Sequence, residues 1–247
     1  MNIICLKWGN KFDHNHVNRL YKMVKKNFKK DFTFICYTEN SLHINNEIEI
    51  KPLPLEYDLE NWWWKLTLFK NPVKCKTIYF DLDIVIQNDI SHLDQYCEKN
   101  KICTIKTYWK PHLFDKKPEP QSQYDHTLNS SVMLWNGSCV WAWKEFEKNL
   151  DYYMLKYKGI DSYLYIHHYN KLTWLPKGEV YSRLYGYDEK NFWNPYNPND
   201  KVKYFYNKKF NICIFNGWKR KRLWDDPKED YILDDNGYLG YEKYWNN

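Results

Sequence analysis

The chain has no stretch of about 18 consecutive apolar residues, so no membrane-spanning helix is predicted. Nothing at the N-terminus reads as a secretory signal, because Lys7 and Trp8-Gly9 interrupt the first apolar run early. The seven cysteines include no C-x-x-C pair. An odd, scattered set without a leader argues against a disulfide framework and predicts a reducing, cytoplasmic setting. Cys5, Cys36, Cys75 and Cys213 lie in or beside apolar runs and read as buried thiols. Internal repeats and linkers are also missing. The 247 residues, 43% hydrophobic and 28% charged, have a globular composition and suffice for one sizeable core.

Aromatic side chains are in excess, at 19% with 13 Trp and 23 Tyr. That is more than a core should hide, so some are expected to line a binding surface. Flat rings suit sugars, bases and protein interfaces alike. The net charge of +6 fits a soluble basic protein. It equally fits one with an anionic ligand: a nucleotide diphosphate, a membrane surface or nucleic acid. Lys25-Lys26 with Lys29-Lys30 lies on a predicted helix and reads as a solvated face. Lys219-Arg220-Lys221-Arg222 follows a strand and a glycine, a better place for an anion site.

Asn2 to Lys7 reads as a buried strand and Trp8-Gly9-Asn10 as the turn after it. Val17, Leu20, Tyr21, Val24 and Phe28 recur at helical spacing behind the cap candidate Asp13. Phe32 to Tyr37 and Ile48 to Leu53 are further strands. This βαβ opening predicts a parallel sheet flanked by helices, with ligands beyond the carboxyl ends of its strands. Asn61 to Lys70 looks helical. Lys76 to Ile86 reads as one strand broken by two aspartates, and Ile102 to Lys106 as another. Tyr108 to His126 is Pro-rich and aperiodic, a loop or lid. Ser131 to Leu134 reads as a strand, Val140 to Tyr157 and Asp161 to Tyr169 as helices, Asn191 to Asp200 as a loop, and Asn211 to Phe215 as a late strand.

The sharpest chemical signal is Asp81-Leu82-Asp83 at the end of an apolar run. Side chains two apart on extended backbone share a face. Two carboxylates so placed repel one another unless a hard divalent cation sits between them. The bland alternative, two exposed aspartates in a turn, conflicts with the apolar run before them. Two enzyme classes use such a triplet: sugar-nucleotide-dependent glycosyltransferases of the GT-A fold, and haloacid-dehalogenase-like phosphohydrolases. In the latter the motif opens the fold, whereas here a βαβ unit precedes it.

The chain resembles GT-A glycosyltransferases, particularly family-8 enzymes such as glycogenin and the lipopolysaccharide galactosyltransferases. Trp64-Lys65-Leu66 stands for a Lys-Leu pair before the D-x-D motif. Asn129-Ser130-Ser131 stands for an Asn-Ser-Gly strand start, and Asp161-Ser162-Tyr163-Leu164 loosely for D-Q-x-x-L, without the Gln. Ile214-Phe215-Asn216-Gly217-Trp218-Lys219-Arg220 stands for a C-terminal H-x-x-G-x-x-K-P or F-H-G segment, without its metal-binding His and with Arg220-Lys221 for the Lys-Pro. The resemblance spans roughly residues 2 to 224 and implies a single α/β GT-A domain over residues 1–247, with a Rossmann-like, mostly parallel central sheet flanked by helices.

It further implies a metal-dependent hexosyltransferase with a nucleotide-sugar donor, UDP-linked, and retention of anomeric configuration. Mn²⁺ or Mg²⁺ would be held by Asp81 and Asp83, with Asn216 as a weaker third ligand. Leu82, Ser130, Gly217, Lys219 and Arg220 would join Lys65 around the donor. Lys7, Trp8, Tyr37 and Thr38 would meet the base and ribose, although Trp8 serves equally well as a core residue. Asn129, Asp161 and Lys65 would act at the reacting sugar, although Asp161 could instead cap its helix. The expected acceptor is a glycan, a lipid-linked glycan or another hydroxyl, with a modified base in DNA as the alternative given the basic charge. A phosphohydrolase and a non-catalytic glycan- or nucleic-acid-binding module are the competing classes. Adjacent His167 and His168 point in different directions on a helix, so packing rather than metal binding is expected of them.

Overall fold

A computed structural model describes residues 1–113, 126–191 and 205–215. In chain order the elements are β1 (Asn2–Lys7), α1 (His14–Asn27), β2 (Thr33–Thr38), β3 (Glu49–Lys51), a 3₁₀ helix over Asn61–Phe69, β4 (Thr77–Phe80), β5 (Ile84–Ile86), β6 (Ile102–Lys106) and β7 (Leu128–Trp135). After these come α2 (Val140–Glu147), α3 (Leu150–Lys156), α4 (Ile160–His168), β8 (Leu172–Trp174), β9 (Val180–Ser182) and β10 (Ile212–Ile214). Short 3₁₀ turns occupy Ser91–Tyr96, Pro111–Leu113 and Tyr169–Lys171.

Seven strands form the main sheet in the order β3-β2-β1-β4-β7-β6-β8. β7 runs antiparallel to both neighbours, and the other pairings are parallel. Strand alternation assigns the two faces. Ile3, Cys5, Phe34, Cys36, Ile78 and Phe80 pack toward α1 and join Val17, Leu20 and Val24. Ile4, Leu6, Ile35, Tyr79, Met133 and Trp135 pack on the other face with the 3₁₀ helix, α2 and α4. A sheet covered on both sides needs near-continuous apolar strands, and β4, buried at every position, is one.

The predicted α1 is present, with Asp13 as its cap. Asp13 Oδ1 accepts from the Asn15 and His16 backbone nitrogens at 2.9 and 3.2 Å, and the His16 ring accepts back from the Asp13 nitrogen. This is a capping box in which His replaces Glu or Gln. Lys25 and Lys26 close the last turn, where cations complement the helix dipole. Lys25 pairs with Glu47 and Lys30 with Asp94, so this basic cluster is the solvated face expected.

The structure corrects several expectations. Lys76 to Ile86 is not one strand. β4 ends at Phe80, Asp81-Leu82-Asp83 forms a turn, and β5 belongs to a second sheet of order β5-β10-β9. Paired carboxylates would be costly inside a continuous buried ladder, and the turn carries them out of it. Val140 to Tyr157 is two helices, because the Asn149 side chain accepts from the Tyr152 nitrogen and starts α3 anew. Asn61 to Phe69 is a 3₁₀ helix. The strand predicted over Ser131 to Leu134 extends to Leu128–Trp135. β8 and β9, three residues each, were not anticipated. Cys75 is half-buried rather than buried, and all seven cysteines are free thiols. No helix among the described residues is long and apolar enough to cross a membrane. Residues 114–125 of the predicted lid lie outside the described residues, as does the Asn191 to Asp200 loop apart from Asn191.

Trp62 to Lys65 ties the 3₁₀ helix to everything around it. Trp63 stacks on Phe146 with ring centroids 5.0 Å apart, and the Trp62 indole donates to the Lys158 carbonyl at 3.0 Å. Gly159, at the N-cap of α4, lies so close beneath that indole that a Cβ there would meet Trp62 Nε1 at 2.1 Å. Gly159→Ala is therefore expected to destabilise by about 1–3 kcal/mol through overpacking. Trp62→Ala should erase most of that penalty in the double mutant. Urea denaturation of the cycle measures both, and a wild-type midpoint for Gly159→Ala would refute the contact.

Candidate active site

The carboxyl ends of β2, β1 and β4 lie along one edge of the sheet, as the parallel register dictates. The edge is shaped by β7. Between Thr104 and Ile105 of β6 the partner jumps from Met133 to Asn129, so Ser130, Ser131 and Val132 form a bulge against β6 while Val132 keeps its register with Phe80 of β4. Thr104 Oγ1 lies 2.8 Å from the Asn129 carbonyl oxygen and 2.9 Å from that of Val132, bridging the bulge. Bulges re-aim backbone and side chains beside functional sites. Here the Ser131 carbonyl accepts from the Asp81 nitrogen at 2.9 Å.

Asp81 is the hub. Lys65, 5% exposed, places its Nζ 2.8 Å from Oδ2 and 2.8 Å from Oδ1. The same ammonium lies 3.3 Å from Ser130 Oγ and 3.4 Å from the Ser130 carbonyl oxygen. The Tyr79 hydroxyl donates to Asp81 Oδ1. Ser130 in turn donates its backbone N–H to Asp161 Oδ1 at 3.1 Å. Asn129 Oδ1 accepts from the Ser131 nitrogen at 3.1 Å. One connected network thus joins Lys65, Asp81, Ser130 and Asp161, with Asn129 beside it.

Asp83 is held differently. Its carbonyl accepts from the Phe215 nitrogen at 3.1 Å, which fastens β10 to the triplet. Desolvation, and then the negative charge of Asp81, push its carboxyl up to about 7, against the pull of Lys11 and Lys65. Two neighbouring carboxylates with one ammonium engaged on the first is the donor set that a divalent cation neutralises. Carboxylate oxygens are the ligand chemistry that a hard divalent cation takes. Among the described residues no cluster of three His, Cys, Asp or Glu side chains gathers. Asn216, Gly217, Lys219 and Arg220 lie outside the described residues.

The other sequence-predicted residues divide. Lys7 is buried at the end of β1 and pairs in register with Thr38. Trp8 and Tyr37 are half-buried and pack against the core on the 3₁₀-helix face. The Thr38 hydroxyl is engaged with the backbone N–H and carbonyl of Asn40, each at 3.1 Å, so it shapes the turn. Leu82 is buried in the core. Asp161 sits in the first turn of α4, but the cap position is Gly159, so Asp161 does not cap its helix. His167 and His168 pack as expected. Their Nε2 atoms lie 2.8 Å from the Tyr157 hydroxyl and 3.2 Å from the Tyr163 hydroxyl, and burial pushes His168 down to about 3.

Sequence reasoning missed two residues. Tyr79 reads as core in an apolar strand, and nothing in the sequence distinguishes its hydroxyl. Lys11, after the β1 turn, was legible as the first cation beyond a strand end but was passed over. Burial and the charge of Asp81 raise the Tyr79 phenol, which keeps it a donor.

No family model and no curated protein matches the sequence. Solved structures do. The chain is similar to the galactosyltransferase LgtC in complex with donor and acceptor sugar analogues, at 11% identity and TM-score 0.61, covering 100% of this chain and 95% of that one. It is similar to the bifunctional glycosyltransferase WbbM at 12% identity and TM-score 0.52, covering 87% of this chain and 45% of that one. The glycosyltransferase GlyE of Streptococcus pneumoniae matches at 10% identity and TM-score 0.50, covering 72% of this chain and 45% of that one. The chain has the GT-A fold these glycosyltransferases share: a mostly parallel seven-stranded sheet between layers of helices.

Proposed function

We propose that the protein is a metal-dependent glycosyltransferase that moves a hexose from a nucleotide sugar, UDP-linked, to a hydroxyl of a glycan. The carrying observation is the joining of Lys65, Asp81, Ser130 and Asp161 into one network at the strand ends of a GT-A fold, with Asp83 beside it. Lys7, Trp8 and Tyr37 lie along the same edge, where the base and ribose would rest.

Breaking the bond between sugar and diphosphate builds negative charge on the leaving group. A Mn²⁺ or Mg²⁺ held by Asp81 and Asp83 would supply charge neutralisation there. The chain's own part is to place cations and dipoles before that charge develops. Lys65 is fixed by Asp81 and Ser130 and aims its ammonium at that end of the sheet. Ser130 N–H orients the Asp161 carboxylate, which lines the reacting face and positions the sugar rather than acting as a plain base. Asn129 keeps its amide nitrogen for a sugar hydroxyl while its oxygen holds the bulge. Asn216 as a third metal ligand and Lys219 and Arg220 as cations for the diphosphate are what the family resemblance adds, and all three lie outside the described residues. Retention of configuration is part of the proposal.

Incubation with a panel of nucleotide sugars and Mn²⁺ tests the reading. Release of a nucleoside diphosphate from at least one UDP-hexose, with the anomer retained by NMR, is the expected result. If the panel is untouched while simple phosphate esters are hydrolysed, the phosphohydrolase class takes its place.

A further inference from the structure

Tyr79 is 1% exposed and lies two residues before Asp81, whose backbone N–H still donates to the Ser131 carbonyl of β7 at 2.9 Å just past the end of β4, so both side chains leave the extended backbone toward the same face. A phenylalanine would fill the space beneath the 3₁₀ helix equally well. Yet the position carries a hydroxyl, and that hydroxyl donates to Asp81 Oδ1. Lys65 Nζ approaches the same carboxylate and stands 5.4 Å from the centre of the Tyr79 ring. Phenol, ammonium and carboxylate therefore form one packed unit.

We propose that Tyr79 is a positioning residue for a divalent cation: its hydroxyl fixes the orientation of Asp81, so that the carboxylate's remaining lone pairs face Asp83. This rests on the metal-site reading given above. A carboxylate has about four lone-pair positions. Lys65 lies against both oxygens and the Tyr79 hydroxyl takes a further position on Oδ1, so the phenol narrows the directions left for another partner. A neutral outer partner such as the Tyr79 phenol orients a ligating carboxylate without competing with the cation as the charged Lys65 does, and losing such a partner typically costs about 10–100-fold in metal affinity.

Mn²⁺ alone is the probe, with binding followed by electron paramagnetic resonance in wild type, Tyr79→Phe and Asp83→Ala. Tyr79→Phe should raise the Mn²⁺ dissociation constant about 10-fold or more, with the circular dichroism of the folded protein retained. A dissociation constant within about twofold of wild type overturns the proposal, because a purely structural phenol would leave metal affinity untouched. If wild type binds no Mn²⁺, or Asp83→Ala binds as wild type does, the metal-site reading itself falls, whatever Tyr79→Phe does. Should Tyr79→Phe fail to fold, wild type labelled with ¹³Cζ-tyrosine makes the test. The tyrosine resonance that Mn²⁺ broadens most should shift as Mg²⁺ saturates, and its standing still would count against the proposal.

Discussion

Asp83→Asn is expected to make the metal-free protein more stable above pH 7 and, in the same molecule, to lower sugar transfer by on the order of 10³-fold. The first effect follows from linkage. The carboxyl is raised to about 7 in the folded protein by desolvation and by Asp81. An acid whose folded pKa stands above its unfolded value loses stability as pH rises between the two, here from about 4 to about 7. Above that window the charged form burdens the fold in full, and a neutral amide of the same shape removes the burden. The second effect follows from charge stabilisation in the transition state, worth several kcal/mol for a bound metal. About 4 kcal/mol corresponds to 10³ in rate. The same carboxyl sets a pH dependence for wild type: metal binding must displace its proton, so affinity for Mn²⁺ should fall below about pH 7. Melting curves in EDTA at pH 6 and pH 8, Mn²⁺ titrations at the same two pH values and activity assays read the three effects in turn. An Asn variant that melts lower than wild type at pH 8 without metal would refute the electrostatic account of Asp83.

Lys65→Met should separate two roles that the ion pair combines. With its ammonium 2.8 Å from Asp81, Lys65 competes with any cation for that carboxylate. Its removal should leave Mn²⁺ affinity unchanged or tighter. In the proposed reaction its other role would be to face the developing charge of the leaving diphosphate, and losing one such preorganised donor costs about 10²–10³-fold in rate. The variant should also be less stable in EDTA, because Asp81 loses its buried partner, with the Tyr79 hydroxyl left as partial compensation. Added Mn²⁺ should restore much of that loss. A variant that loses Mn²⁺ affinity and activity in equal measure would mean that Lys65 merely props up the metal site.

The sequence carried the first half of the fold because its physics there is local. Apolar strands, a capped amphipathic helix and a glycine turn each announce themselves within a few residues. The Asp81 triplet was legible because charge interrupts an apolar run. Its true setting, a turn passing from one sheet to another, was not, because β5 is recognisable as a separate strand only once β10 lies against it. The short β8 and β9 have the same dependence on partners. Lys65 was singled out through a family resemblance, and its 3₁₀ helix reads as an ordinary helix from spacing alone. The Ser130 bulge escaped notice because it is defined by the register against β6. Tyr79 escaped for a chemical reason: in an apolar strand a tyrosine and a phenylalanine make the same pattern, and only the proximity of Asp81 gives the hydroxyl a task.

The central claim is that Asp81 and Asp83 join a nucleotide diphosphate to the protein through a divalent metal. The most direct measurement is thermal denaturation with UDP and other nucleoside diphosphates, with Mn²⁺ or Mg²⁺ and with EDTA. At least one nucleotide should raise the melting temperature of wild type only when metal is present, and should not do so in Asp83→Ala. Stabilisation by no nucleotide under any metal, or stabilisation that survives EDTA unchanged, would contradict it.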